Sequence, residues 1–350
     1  MAATSETDFV LARYTSGSEL PFEFQIAYPQ STRPQPQSAA ASLDGVFARL
    51  VEYRGPADCP LCLNVAVTVL PREIGVGDLA EVDAQRRGHQ VLQRRDLSGK
   101  YAGNAEVLSA CLEHDRPWLT RNRLVKHGRL AFRITAAAPY DRFPEIGVVA
   151  ARFLGSFRLQ GAPLEDGAER QETCVLPSPA SASFAYPASW RQSEPLRTND
   201  SVAVTLSNGQ AGENAATITV EARVGAWPAL RAPCLRRFTE SLESQGIQCQ
   251  GSLVVPMAGP AGFDTVEVFA PRANREGRAM AVGLVFFIRD NGVVTAATAG
   301  PSRDTSIQWW AINKRAFEIV RDSLVVGSPQ ASAPSANKYC HSALHSPSFL

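Results

Sequence analysis

An α+β fold made of two tandem copies of one small domain is what this 350-residue sequence predicts. Three observations predict it. One order of elements occurs twice, the strands alternate apolar and polar residues, and each copy closes on a helix with apolar residues every three or four positions. The copies are expected over residues 20–160 and 181–326, after an N-terminal extension over 1–19. A linker over 161–180, rich in Pro and acidic residues, and a disordered tail over 327–350 complete the plan.

Each copy opens on a segment ending in Tyr-Pro, at Tyr28-Pro29 and at Tyr186-Pro187. Residues 30–42 read as a mobile surface loop. A short strand follows at 46–51 and at 202–206. Next comes an alternating strand, with Leu63, Val65, Val67 and Val69 on one side in the first copy and Ile218, Val220 and Ala222 in the second. The helix that follows carries Leu79, Val82 and the basic stretch to Arg95 in copy one, and Leu235, Phe238 and Leu242 in copy two. Leu92 and Ile247 are expected to pin these helix ends to the sheet. A third strand is expected at 106–112 and at 265–269. Then a hairpin turns at Lys126-His127-Gly128 or at Asn291-Gly292 and stops at Pro139 or Pro301. The closing helix carries Phe143, Ile146, Val149, Phe153 and Phe157 in one copy, and Trp309, Ile312, Ala316, Val320 and Leu324 in the other.

With 35 basic and 34 acidic side chains the net charge is +1, so no long-range field draws the chain to nucleic acid or an anionic membrane. Arg86-Arg87, Arg94-Arg95 and the run 121–129 read as solvated faces. The first residues lack the basic start and apolar stretch of a secretory signal, and no run of 18 apolar residues occurs. A cytoplasmic protein is expected. Seven scattered cysteines suit a reducing compartment better than a disulfide framework.

Little in the sequence carries chemistry. Cys59-Pro-Leu-Cys62 precedes an alternating strand, not the helix start that activates a redox thiol. As half of a metal site it needs two more ligands, for which Cys111 and His114 are nearest in the folded region. Cys340, His341 and His345 fall in the tail. Cys111-Leu-Glu113-His114-Asp115 reads as a strand end with a polar turn. No catalytic residue, cofactor or metal is assigned, and the chain is expected not to be an enzyme. The strand 281–288 is apolar on both faces, with Val282, Leu284, Phe286 and Ile288 on one and Val285 and Phe287 on the other. Its second cover is expected to be the other domain. Failing that, Val285 and Phe287 form a partner-binding face.

The Tyr-Pro opening, the hairpin ending at Pro139 or Pro301, and helix ends at Ser156-Phe157 and Ser323-Leu324 together resemble the PsbP-like family. That family includes the photosystem PsbP subunit, the Mog proteins and bacterial DcrB-like proteins. The resemblance implies an α/β/α sandwich, a mainly antiparallel sheet flanked by helices, in each copy. It also implies a binding protein without a cofactor. In context the chain is most similar to the effector-associated (Eag) chaperones of type VI secretion, which hold apolar N-terminal helices of an effector. The expected function is thus a non-catalytic adaptor or chaperone with a protein partner, such as a secreted effector, and with no nucleic acid or stable membrane insertion. The alternatives are an immunity or regulatory interaction protein, and an enzyme or metal protein using Cys59 and Cys62.

Overall fold

A computed structural model describes residues 8–16, 21–36, 47–57, 59–161, 167–177, 182–251, 254–257, 263, 265–289 and 292–326. The expected tail, with Cys340, His341 and His345, lies outside the described residues, as do 37–42 of the expected loop and Asn291 of the expected turn.

The first half runs β1 (Phe9–Thr15), β2 (Glu23–Pro29), β3 (Arg33–Pro36), β4 (Ala48–Arg54), β5 (Cys62–Val69) and α1 (Val76–Arg86). It continues through β6 (Gln90–Asp96), β7 (Asn104–Glu113), β8 (Arg116–His127), β9 (Leu130–Pro139), α2 (Phe143–Ser156) and β10 (Arg158–Gln160). The second half opens on β11 (Gln171–Leu176), β12 (Ala182–Pro187), β13 (Arg191–Gln192), β14 (Leu196–Arg197), β15 (Ser201–Ser207), β16 (Thr217–Val224) and α3 (Trp227–Ser244). There follow β17 (Ile247–Gln250), β18 (Val254–Met257), β19 (Thr265–Phe269), β20 (Arg272–Arg275), β21 (Arg278–Arg289), β22 (Gly292–Pro301), α4 (Ile307–Ser323) and β23 (Val325–Val326).

Antiparallel sheets dominate, with four helices among the described residues, so the fold is α+β. Each half has a small sheet, β1-β2-β10 or β11-β12-β23. Each also has a large one, ordered β3-β4-β5-β9-β8-β7-β6 in the first half and built around β15-β16-β22-β21-β19 in the second. Local details repeat too. The hairpin strands are 12 and 10 residues long in both halves. Ser156 Oγ accepts the Ala27 amide at 2.8 Å, and Ser323 Oγ accepts the Ala185 amide at 2.8 Å.

One face of each large sheet packs against the closing helix. Leu63, Val65, Val67 and Val69 meet Phe132, Ala150 and Phe153 on the α2 side. Val220, Val285, Phe287 and Val294 meet Ala316 and Val320 of α4 in the same way. The opposite face belongs to the other helix. In the second half Leu284, Phe286 and Ile288 pack under α3, against Trp227, Cys234 and Phe238.

Several expectations are corrected here. The second cover of the 281–288 strand is α3 of the same half, not the first half. Val285 (3% exposed) and Phe287 (0%) are core residues that offer a partner no surface. A strand, β1, lies in the expected N-terminal extension, and β11 lies in the expected linker, so each half begins one strand earlier. The first helix stops at Arg86 rather than running on toward Arg95. Gly88 takes a left-handed φ of 72° there, while Gly88 N–H and His89 N–H donate to the carbonyls of Gln85 and Ala84. That is the two-bond ending that a glycine after a helix permits. Leu92 consequently sits on β6 and is half exposed, whereas Ile247 is buried as expected. The arginines are not simply solvated either: Arg94 donates to Asp78 at 2.7 Å, and buried Arg123 donates to the Leu154 carbonyl at 3.0 Å.

The two halves meet where α4 covers the outer side of α1. Ala311 and Ile312 pack with Leu79, Ala80 and Val82. Lys314 pairs with Asp78 at 2.9 Å and Arg303 with Glu81 at 2.5 Å, and both carboxylates are buried. The short passage between the halves is tied in as well, since Glu73 accepts the Ala168 amide at 2.7 Å.

A polar cleft on the first half's sheet

α1 has 11 residues and α3 has 18, so at 1.5 Å per residue α1 is shorter by about 10 Å. The last turns of α3, through Phe238, Ser241 and Gln245, reach over Thr217 and Ala299 and leave a cavity of only about 180 Å³. The matching positions of the first half are Cys62 and Ala137, paired across β5 and β9 as Thr217 and Ala299 are across β16 and β22. Here α1 has already ended. The result is an open cleft of about 810 Å³, floored by β4, β5, β9 and β8 and bordered by Arg87-Gly88-His89.

The floor is polar because of register. Glu52 pairs with Asn64, Asn64 with Thr135, and Thr135 with Asn122, which sets four polar side chains in one row across four strands. Side chains at paired positions leave the same face of a sheet. The corresponding row of the second half is Thr205, Thr219, Ala297 and Leu284. Thr135 Oγ donates to Asn122 Oδ1 at 2.7 Å, so the Asn122 amide nitrogen is left as a donor. That nitrogen, Asn64 Oδ1 and Arg133 Nε are buried and make no hydrogen bond within the described chain. Such groups are costly unless water or a ligand meets them.

Two carboxylates lie in this region, each between two guanidiniums. Glu52, 1% exposed, accepts from both Arg49 and Arg54. Asp83, on the last turn of α1, takes Arg133 at 2.6 Å and Arg87 at 2.9 Å. Burial, and after it the charge of Arg133, pushes Arg87 below its ordinary pKa. Burial, with Arg87 next, holds His89 down at about 4, so its imidazole is neutral at pH 7.

The chemistry-bearing residues singled out in the sequence partly converge here. Cys62 and Cys111 both line the cleft, with Glu113 and His114 at its mouth. His114 and Asp115 form the tight β7–β8 turn, with φ of 51° and 61°. Yet Cys62 stands on β5 and Cys111 on β7, three strand spacings or roughly 14 Å apart. Cys59 lies in the loop before β5, where its amide donates to the Pro56 carbonyl at 2.9 Å. Among the described residues no group of three or more His, Cys, Asp or Glu is placed to hold a metal ion. Burial raises both thiols, Cys62 and Cys111, which disfavours the thiolate that nucleophilic or ligand chemistry needs.

No family description and no curated protein matches this chain. Among solved structures it is similar to the cyanobacterial PsbP of Synechocystis sp. PCC 6803, at 13% identity and a TM-score of 0.32, over 46% of this chain and 97% of that one. It is also similar to the T6SS immunity protein TplEi of Pseudomonas aeruginosa, at 13% identity and 0.24, over 81% of this chain and 99% of that one. A third likeness is to a Tle4–Tli4 complex, at 12% identity and 0.23, over 87% and 94%. All three TM-scores lie below 0.5, so the chemistry of the cleft rests on this chain's own residues. No helix among the described residues is long and apolar enough to cross a membrane.

Proposed function

We propose that the chain is a non-catalytic protein-binding protein, two tandem α/β/α sandwiches of which the first receives a segment of its partner in the polar cleft. The observation that carries this reading is the contrast in one sheet face. It is open over about 810 Å³ in the first half and closed to about 180 Å³ by α3 in the second. A cleft of the larger size is in the range of ligand sites.

The chemistry of the lining favours binding over catalysis. Its thiols are held protonated by burial, and His89 is too weak a base to take a proton near pH 7. A hydroxyl near that imidazole, Ser109 Oγ at 3.4 Å, is fully buried. The rim is mixed, with Arg54, Glu113 and His114 beside the exposed Leu112, as suits recognition of a protein segment by an immunity or regulatory protein. Sequestering an apolar helix on Val285 and Phe287, the chaperone reading, loses its surface because both are in the core.

The test is site-specific photo-cross-linking in the cells the chain comes from. A benzophenone side chain replaces Leu112, an exposed residue at the mouth, or Arg236, an exposed residue on the outside of α3. One protein cross-linked from position 112 and not from 236 is the expected outcome. The same products from both positions, or none from 112, would sink the proposal.

A further inference from the structure

We infer that the cleft is built for a carboxylate ligand, and that the partner supplies it as an acidic segment, an Asp- or Glu-bearing stretch that enters between the two arginine pairs. This rests on the reading that the cleft is where a partner docks.

The charge arrangement points there. Glu52 is one negative charge between Arg49 and Arg54, and Asp83 is one between Arg87 and Arg133. Each group of three therefore keeps one uncompensated positive charge, and both groups border one cleft. Glu113 is the carboxylate standing against them among the described lining residues, and it lies out at the exposed mouth. Two internal carboxylates do not exhaust four guanidiniums, each of which has five N–H donors. The low pKa of His89 and the depressed one of Arg87 follow first from burial and then from this surplus of cations.

An unpartnered donor on a lining residue agrees with the charge. Arg133 Nε makes no hydrogen bond within the described chain, because its Nη1 is the atom committed to Asp83. A carboxylate oxygen accepts from guanidinium N–H groups, and charge-assisted bonds of this type are the strong ones. An ammonium ligand would instead meet four arginines. The size suits a few peptide residues rather than a folded surface.

The experiment uses the full-length protein and the peptide acetyl-Gly-Glu-Glu-Glu-Gly-amide, with binding followed by saturation-transfer NMR. Its Gln and Lys counterparts and free glutarate are run beside it. The Glu peptide is expected to bind about tenfold more tightly than the Gln peptide, and the Lys peptide not at all. Arg54→Gln, at an exposed guanidinium, is expected to weaken the Glu peptide about fivefold and to lower the unfolding midpoint only slightly, because Arg49 still pairs with Glu52. Equal binding of Glu and Gln peptides overturns the carboxylate. Unchanged affinity in the folded double variant Arg49→Gln/Arg54→Gln overturns the site. Glutarate binding as tightly as the peptide overturns the peptide as source and leaves a small dicarboxylate. A protein cross-linked from position 112 with no Glu-peptide binding would remove this inference alone. Peptide binding without any cross-linked protein would instead remove the protein-binding reading.

Discussion

The same sheet face meets two different fates in the two halves. In the second half its central row is Thr219, Ala297 and Leu284, and an 18-residue helix lies over it with Trp227 and Phe238 turned inward. In the first half the row is Asn64, Thr135 and Asn122, and an 11-residue helix stops at Arg86, so that Asn64 and Thr135 line an open cleft. The two differences depend on each other. A helix extended over the cleft would shut Glu52, Arg54 and Asn64 away from water, and a shortened α3 would expose Leu284 and Phe286 to it. Side-chain polarity and helix length differ together, which gives one half a core and the other a cleft.

Exchanging the row residues is the strongest way to break this comparison. Leu284→Asn puts the first half's residue under α3 in the second half. It removes a buried Leu, 2% exposed, and strands an amide, at a cost of about 4 kcal/mol. The reciprocal Asn122→Leu gives up the bond from Thr135 but also removes an unpartnered donor, and it should change stability by no more than about 1 kcal/mol. Urea denaturation of the two variants compares them directly. Similar losses for both would mean that the two faces are equally dry.

The outer sides of the same two helices differ in the opposite sense. α1 is short yet buried, because α4 covers it and its Asp78 is 3% exposed against Lys314 and Arg94. α3 bears Arg236 and Glu240 to solvent, 4.0 Å apart and largely exposed. Asp78→Ala should cost about 1.5 kcal/mol, because it removes two charge-assisted bonds while Arg94 keeps Glu81 and Asp96 and Lys314 keeps Glu318. It should also separate the unfolding of the halves into two transitions. Glu240→Ala should cost less than about 0.5 kcal/mol. Calorimetry reads both effects, and a single unchanged transition for Asp78→Ala would show that apolar packing of Ala311 and Ile312 alone couples the halves.

Much of the scaffold is legible in the sequence. The paired hairpins, the Tyr-Pro openings and the closing helices rest on local signals, such as apolar alternation, a stop at proline and three-four spacing, and these need no knowledge of partners. The cleft is not legible, for two physical reasons. Asn64, Thr135 and Asn122 lie far apart in the chain and form a row only through register. The end of α1 is set by Gly88 against a basic run, Arg86-Arg87 to Arg94-Arg95, that reads equally well as one continuing helix. Arg87, Arg133 and Asp83 look like surface charges until the fold brings them together. The apolar strand at 281–288 misleads for a related reason, since its second cover is the helix that precedes it in its own half.

A smaller effect sharpens the contrast at the helix ends. His89 follows Gly88 at the cleft, whereas Ile247, buried, follows Gly246 in the second half. Burial, then Arg87, lowers His89 to about 4, while an unfolded chain takes up that proton near 6.5. Between these values the unfolded state holds more protons, so stability falls as pH drops from 6.5 to 4, and this group adds no further loss below 4. Water in the open cleft screens the charge, and the loss should be about 1 kcal/mol. Unfolding free energies at pH 6.5 and 4 should differ by that much less in His89→Gln. An identical pH slope in the variant would place the imidazole in water.

The least effect is the one in which the halves should not differ at all. Ser156 and Ser323 end α2 and α4, and each accepts the amide of an edge-sheet residue, Ala27 or Ala185, at 2.8 Å. Each also donates back to its own helix, to the Phe153 carbonyl at 2.8 Å or the Ile319 carbonyl at 2.6 Å. Removing either hydroxyl leaves one amide short of an acceptor, and Ser156→Ala and Ser323→Ala should each cost about 1 kcal/mol. The double variant should lose the sum, because the two bonds share no partner. Equal losses would mean that the halves differ at the α1 and α3 face but not at the joint between helix and small sheet. A loss confined to Ser156 would show that the small sheet of the second half is held by β11 and β23 without its helix-end serine.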